Sequence, residues 1–135
     1  ALLTPSYIYA RFVEQLFQNN VDLHYLSHIT GHGWQKMMRA KKPFAYRFHM
    51  VPPVQEEFTF IQKHAQISTQ DMYATFNMGA AFACFLPQKQ VVLVEKIAKK
   101  CGFKSWNAGI VEKGPRRVII EPLDIVFEGS AFAVK

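Results

Sequence analysis

The residues with the clearest chemical potential form one short turn: His28, Thr30, Gly31, His32 and Gly33. Glycine lets backbone N–H groups approach a ligand closely, and a turn at the head of a helix can direct those groups and the helix dipole at a phosphate. Thr30 adds a hydroxyl. The spacing matches neither a Walker loop nor a dinucleotide-binding fingerprint, so a phosphate-binding loop and a purely structural turn both remain open.

A second candidate site lies at Asn77 and Gly79, where a short helix is expected to end and a buried strand to begin. An Asn at such a junction commonly caps backbone groups. Its amide can instead bond a ligand carbonyl, phosphate or ribose. The neighbouring Phe76 and Met78 are predicted to be core residues rather than cofactor contacts.

Three histidines spaced four apart, His24, His28 and His32, suggest a metal site at first sight. Side chains at that spacing align only on a continuous helix, which Gly31 and Gly33 disfavour. Neither a Cys nor a carboxylate lies nearby to complete a zinc shell. We therefore predict no metal site in this chain.

The sequence contains no self-contained catalytic set. No Asp or Glu accompanies the histidine-rich window, so no nucleophilic triad can be argued there. Glu56 and Glu57 are expected on the polar, solvated side of a helix. The catalytic residues are therefore unknown, and an enzyme containing this chain would need groups supplied from elsewhere.

The formal net charge of +6 is unevenly distributed along the chain. Residues 23–55 include no Asp or Glu but contain these basic residues: Lys36, Arg39, Lys41, Lys42 and Arg47. Such a one-sign stretch raises the local anion concentration, so it fits a phosphate-attracting rim as well as a solvated basic face. The aromatic residues lie at core spacing, which disfavours a nucleic-acid surface.

The 135 residues are 50% hydrophobic, a composition typical of a folded domain that excludes disorder, and we expect one domain. No apolar run approaches the roughly 20 residues of a membrane-spanning helix, and no signal peptide is visible. A cytoplasmic protein with no membrane partner is therefore expected. Cys84 and Cys101 lack a second Cys at metal-knuckle spacing and are predicted to be buried free thiols.

Hydrophobic periodicity predicts an α/β (α+β) fold, with a mixed β-sheet covered by helices in one domain. The predicted helices cover residues 5–19 with Thr4 as cap, residues 34–39, residues 54–65, a short segment opened by Ser68, and a segment after Pro87 that stops at Gly102. Predicted strands cover residues 22–30, 44–50 and 80–86. Residues 106–111 and 117–126 are predicted to form a hairpin, followed by residues 127–134 as a last strand or an arm.

Two longer motifs, HITGHGW at residues 28–34 and MYATFNMG at residues 72–79, resemble the C-terminal half of aminoimidazole ribonucleotide synthetase. This family is also called phosphoribosylformylglycinamidine cyclo-ligase. The likeness runs from residues 3–9 to residues 117–121 and includes residues 51–53 and 106–110. It implies the α/β C-terminal domain of a two-domain enzyme, whose N-terminal domain forms the homodimer and carries the ATP-binding and metal-binding residues.

The resemblance also implies a reaction. Members of the family use ATP and Mg²⁺ to activate the formamide oxygen of formylglycinamidine ribonucleotide, and an amidine nitrogen then closes the imidazole ring in purine biosynthesis. The implied partners are a nucleotide substrate and an N-terminal ATP-binding domain that this chain lacks, so the chain alone is expected to be inactive. The alternatives are a synthase-related paralogue with another substrate and a non-catalytic anion-binding or assembly module.

The family's site residues carry over by position onto the two candidate sites. The loop pattern His-x-Thr-Gly-Gly-Gly and the pattern Phe-Asn-x-Gly are matched by His28, Thr30, Gly31, Gly33, Asn77 and Gly79. Both motifs are expected to face the substrate cleft. His32 replaces the middle glycine, and its imidazole is expected either to block a phosphate or to supply a new contact. The usual Leu-Pro after the loop helix is replaced by residues 40–43, and residues 122–135 extend beyond the family's usual end.

Overall fold

The computed structural model describes residues 5–130 and has an α/β architecture. Its α-helices are α1 (Ala10–Gln18), α2 (Glu56–Ala65), α3 (Thr69–Thr75) and α4 (Val91–Lys100). Strands β1 (Tyr25–His28) and β3 (Phe82–Phe85) form a two-stranded sheet, and a four-stranded sheet contains β2 (Phe44–Phe48), β4 (Gly109–Lys113), β5 (Arg117–Ile120) and β6 (Ile125–Glu128). Short 3₁₀ helices cover Gly33–Met38, Gln88–Gln90 and Glu121–Leu123. The predicted α/β class with a mixed sheet is confirmed.

The chain divides into two compact units. The first consists of Ala1–Leu26 and Cys84–Asn107, and the second of Ser27–Ala83 and Ala108–Lys135. Every residue of the two candidate sites belongs to the second unit. Within residues 5–130, no helix has both the length and the apolar character needed to cross a membrane.

In the first unit, α1 packs against α4 through buried Phe12 and Leu16 on one side and Val94 and Ile97 on the other. Gly102 ends α4 in a left-handed conformation with φ +83°. The Phe103 amide donates to the Ala98 carbonyl at 2.9 Å, and the Gly102 amide donates to Lys99 at 3.1 Å. This is a Schellman motif, and it confirms the predicted helix stop at Gly102.

The first helix begins later than predicted, at Ala10 instead of residue 5. The rings of Tyr7 and Tyr9 lie 5.7 Å and 5.1 Å from the ring of Phe103. Aromatic packing therefore holds the segment before α1, and the N-cap residue Tyr9 makes no side-chain capping bond. The predicted cap Thr4 lies outside the described residues.

In the second unit, the sheet order is β4-β2-β5-β6, with β2 antiparallel to β4 and parallel to β5, and with β5 antiparallel to β6. The 3₁₀ helix Gly33–Met38 lies against β2 and β5, and α3 packs on that helix. Buried Trp34 connects these layers, because its ring makes edge contacts with Phe48 at 4.9 Å and with Tyr73 at 5.3 Å. The loop that carries the first motif is thus anchored in the core.

The predicted hairpin of residues 106–111 and 117–126 is wrong. Strand β2 lies between β4 and β5, and residues 114–116 cross its beginning, where the Gly114 amide donates to the Pro43 carbonyl at 3.0 Å. The hairpin is instead β5–β6, with a turn at Glu121–Leu123 and Asp124 at φ 52°. Because Val118 and Ile120 are fully buried, β5 takes an interior position with a neighbour on each edge.

The remaining boundaries differ from the predictions by a few residues. Strands β1 and β2 are shorter than predicted, the segment 34–39 is the 3₁₀ helix Gly33–Met38, and α2 begins at Glu56 and buries no residue completely. Ser68 caps α3 as predicted, accepting a bond from the Asp71 amide at 3.1 Å. Residues 131–134 of the predicted last strand lie outside the described residues.

The two cysteines are free, as predicted, but each is half-buried rather than fully buried. Burial raises the pKa of the Cys84 thiol to about 12. This thiol is therefore protonated at neutral pH.

Candidate functional site

The first motif forms a tight turn directly after β1. The Gly33 amide donates to the Thr30 carbonyl at 3.0 Å, which closes a four-residue turn. His32 occupies its third position with φ 72° and ψ 7°, the conformation found there in a type II turn. Glycine adopts this conformation at little cost, whereas a side chain is strained in it. The geometry thus explains why the family pattern has glycine at this position.

The two glycines of the turn have different roles. A Cβ added to Gly33, which has φ +49°, would lie 2.8 Å from the Phe76 carbonyl oxygen and closer still to that of Tyr73. Gly33 is therefore required for packing of the loop against the end of α3. A Cβ added to Gly31 would meet no atom within 4 Å, so the backbone at Gly31 is open to a ligand.

The second motif forms another tight turn, closed by the Ala80 amide donating to the Asn77 carbonyl at 2.9 Å. Met78 with φ 48° and Gly79 with φ 91° give it the conformation of a type I′ turn. A Cβ on Gly79 would lie 2.6 Å from the Pro53 carbonyl oxygen, so this glycine is required for close packing. The side-chain oxygen Oδ1 of Asn77 accepts a bond from the Gly79 amide at 3.1 Å.

Asn77 therefore has a capping role that involves only one of its two amide atoms. Its Nδ2 group donates to no other residue within the described part of the chain. The predicted structural role is observed at Oδ1, while Nδ2 remains able to bind a ligand.

The structure brings the two motifs into direct contact. The Trp34 Nε1 group donates to the Asn77 carbonyl oxygen at 2.9 Å, across 43 positions of sequence. Trp34 is 1% exposed, so this bond is shielded from water and fixes the positions of the two turns relative to each other. Both motifs are recognisable in the sequence, whereas the role of Trp34 as the link between them is not.

Lys36 is a further residue of this site, although it belongs to neither of the two sequence motifs. Its ammonium group donates to the His28 carbonyl at 3.2 Å and to the Thr30 hydroxyl. Burial, with a smaller effect from Arg39, lowers the pKa of Lys36. In the sequence, the only signal for Lys36 was its position in the basic stretch of residues 23–55. The 3₁₀ helix after the turn is what directs its side chain back onto the loop.

The three histidines do not form a metal site. His24 precedes β1 and lies 3.4 Å from Asp22, so the expectation that no carboxylate lies near these histidines is wrong at this position. His28 ends β1, and His32 lies in the turn. None of the three is on a continuous helix. Residues 5–130 contain no group of three or more His, Cys, Asp or Glu arranged to hold a metal ion. The resemblance assigns the magnesium ion to the N-terminal domain and not to these residues.

Arg47, which also lies in the basic stretch of residues 23–55, is neutralised by carboxylates. It donates to Glu112 at 3.2 Å and to Glu121 at 2.8 Å. His49 Nδ1 lies 2.6 Å from the second oxygen of Glu121. Hydrogen bonds from His49 and Arg47 lower the pKa of Glu121, and the bonds to Glu121 and Glu112 raise the pKa of Arg47.

Comparison with known proteins identifies relatives named phosphoribosylformylglycinamidine cyclo-ligase. The chain is 39% identical over 115 residues to a phosphoribosylformylglycinamidine cyclo-ligase of Methanosarcina barkeri, matching 85% of this chain and 32% of that protein. It is 32% identical over 114 residues to the enzyme of that name from Prochlorococcus marinus strain NATL1A, with 82% and 33% covered. The enzyme of that name from Synechococcus strain CC9311 is 28% identical over 115 residues, with 83% and 33% covered. No family model matches the chain.

The fold and these relatives place the chain among α/β domains related to ligases. By this relationship it belongs to the phosphoribosylformylglycinamidine cyclo-ligase family. The chain spans about one third of the length of the curated relatives that it matches.

Proposed function

We propose that this chain is the C-terminal, substrate-binding domain of a cyclo-ligase that converts formylglycinamidine ribonucleotide to aminoimidazole ribonucleotide. The observation that carries the proposal is the Trp34–Asn77 hydrogen bond, which joins the two motifs that match the family pattern. The bond holds the open side of the first turn and the Asn77 side chain in fixed relative positions, so we expect one ligand to contact both.

Four residues of the site bind the substrate in this proposal. The substrate's phosphate is bound by the open backbone at Gly31, the Thr30 hydroxyl and the Lys36 ammonium. The lysine contributes most, because charge-assisted bonds to phosphate are stronger than neutral ones. Asn77 Nδ2 donates to a substrate oxygen. ATP and Mg²⁺ supply the activation of the formamide oxygen, and in this proposal they are held by the N-terminal domain of the intact homodimeric enzyme.

A chimeric enzyme tests this function directly. The matching third of the Methanosarcina barkeri enzyme is replaced by this chain, and formation of aminoimidazole ribonucleotide is measured. We expect activity, and we expect Thr30→Val to lower kcat/KM by about tenfold or more through loss of the hydroxyl. Lys99→Ala, at an exposed position of α4, is the matched control and leaves the kinetics unchanged. A folded chimera that neither binds the substrate nor turns it over would contradict the proposal.

One observation favours a paralogue with another substrate: His32 has a strained backbone and an imidazole where the family pattern has glycine. His32→Gly in the same chimera separates the two functions. If the imidazole blocks the cyclo-ligase substrate, the glycine variant binds formylglycinamidine ribonucleotide more tightly than wild type, which supports the paralogue. If the imidazole is a substrate contact, the variant binds it more weakly. A non-catalytic anion-binding module would bind inorganic phosphate as well as the nucleotide.

A further inference from the structure

The strand order creates a basic depression on the second unit, away from the two motifs in sequence. Residues 114–116 cross the beginning of β2 to connect β4 with β5, and the Gly114 amide bonds to Pro43 there. This crossing places Arg116 beside the segment that leads into β2. The result is an open depression of about 360 Å³ lined by Lys41, Lys42, Pro43 and Arg116.

The positive charges of the depression are not neutralised by neighbouring carboxylates. Within residues 5–130, none of Lys41, Lys42 and Arg116 forms an ion pair, and no acidic residue lines the depression. Arg47 on β2 is different, because its charge is neutralised by ion pairs with Glu112 and Glu121. Three cations held together without a counter-charge create a positive potential that attracts anions.

Arg116 is held in place before any ligand arrives. Its Nη2 group donates to the Gly129 carbonyl, and the Gly129 amide donates back to the Arg116 carbonyl at 2.7 Å. A Cβ on Gly129 would lie 2.5 Å from Arg116 Nε, so the missing side chain makes room for the guanidinium. A preorganised guanidinium loses little entropy on binding and matches the oxygens of a phosphate.

We propose that this depression is a binding site for a diphosphate-bearing anion. Three cations suit a ligand with several negative charges, and the volume lies near the lower end of known ligand pockets. Among the residues that the structure describes, the lining contains no aromatic ring on which a nucleobase could stack, which disfavours single-stranded nucleic acid. The site is independent of the function proposed for the two motifs.

Inorganic pyrophosphate is the probe, titrated into the 135-residue chain while backbone amide resonances are followed by NMR. We expect saturable shifts at the amides of Lys41, Lys42, Gly114 and Arg116 that weaken as salt is added. The double variant Lys41→Ala/Lys42→Ala should bind about tenfold more weakly, because each exposed ion pair contributes a few-fold. The matched control, Lys99→Ala/Lys100→Ala on α4, removes the same charge and should bind like wild type.

Three results would overturn the proposal. The first is equal weakening by both double variants, which would mean attraction by net charge alone. The second is the absence of saturation, and the third is a set of shifts confined to residues 28–33, which would assign the anion to the loop. Arg116→Lys keeps the charge but loses the guanidinium, so weaker binding by a variant with a wild-type Tm supports the role of Arg116. If that variant unfolds, the lysine pair still decides the outcome.

Discussion

At the scale of single residues, the Asn77 side chain makes a structural hydrogen bond through Oδ1, while its Nδ2 group donates to no other residue that the structure describes. Its Oδ1 atom accepts from the Gly79 amide, whereas the bond from Trp34 goes to its main-chain oxygen and does not depend on the side chain. Substitutions at this position can therefore separate stability from binding. Few residues of the site allow this, because Gly33 and Gly79 are required for packing.

Asn77→Ala and Asn77→Asp form the test pair for this residue. Alanine removes the acceptor for Gly79 and should lower the free energy of unfolding by about 0.5–1.5 kcal/mol. Aspartate keeps an acceptor oxygen and should stay within about 0.5 kcal/mol of wild type, while losing the Nδ2 donor. Urea unfolding of both variants is compared with their kcat/KM in the chimeric enzyme. Wild-type kinetics for Asn77→Asp would remove Asn77 from the substrate site.

At the scale of elements, the turn of residues 30–33 is packed tightly on one side and open on the other. Gly33→Ala should destabilise the protein by about 2 kcal/mol or more, because the new Cβ meets the backbone of α3 and the residue has positive φ. Gly31→Ala, in the same turn, should change stability by less than about 0.5 kcal/mol. Thermal unfolding of the two variants checks the contrast. Similar losses of stability at both positions would refute the packing role assigned to Gly33.

The ion-pair cluster across the four-stranded sheet predicts a pH dependence. Hydrogen bonds from His49 and Arg47 hold the pKa of Glu121 below its ordinary value of 4.5, so ionised Glu121 favours the folded state. This contribution is present above that ordinary value and is lost as the pH falls through the lowered pKa. Glu121→Gln should therefore be less stable than wild type near neutral pH and should approach it in acid.

Urea midpoints measured at about pH 7 and about pH 3 test this dependence. Glu128→Gln on β6 is the matched control, since Glu128 forms no ion pair within the described residues. The difference between wild type and this control is the reference against which the effect of Glu121→Gln is judged at each pH. A gap between wild type and Glu121→Gln that stays constant from neutral to acid pH would contradict the role given to Glu121.

At the scale of the whole molecule, the chain is expected to bind but not to catalyse. Under the proposed function it is one domain of a larger enzyme, and it spans about one third of the length of its curated relatives. The purified chain, supplied with ATP, Mg²⁺ and formylglycinamidine ribonucleotide, should yield no aminoimidazole ribonucleotide, while the substrate shifts amide resonances at residues 28–36 and 77–79. Sustained product formation by the chain alone would disprove its role as a binding domain.

The sequence by itself determined the features that depend on neighbours along the chain. The Ser68 cap, the Gly102 stop and the apolar strand β3 were predictable, because caps, glycine stops and hydrophobic periods act over a few residues. The two motifs and the family were recognisable from the identity and order of short segments. The sequence could not distinguish a glycine exposed to a ligand, such as Gly31, from one packed against the core, such as Gly33.

Only the tertiary structure decided what depends on distant segments. Three features join residues whose pairing no local pattern encodes. They are the insertion of β2 between β4 and β5, the Trp34–Asn77 bond and the approach of Lys36 to Thr30. The turn signal at residues 114–115 indicated a reversal of the chain but could not show which strand would occupy the gap. Strand neighbours are selected by burial of whole faces, which is a property of the assembled sheet and not of one turn.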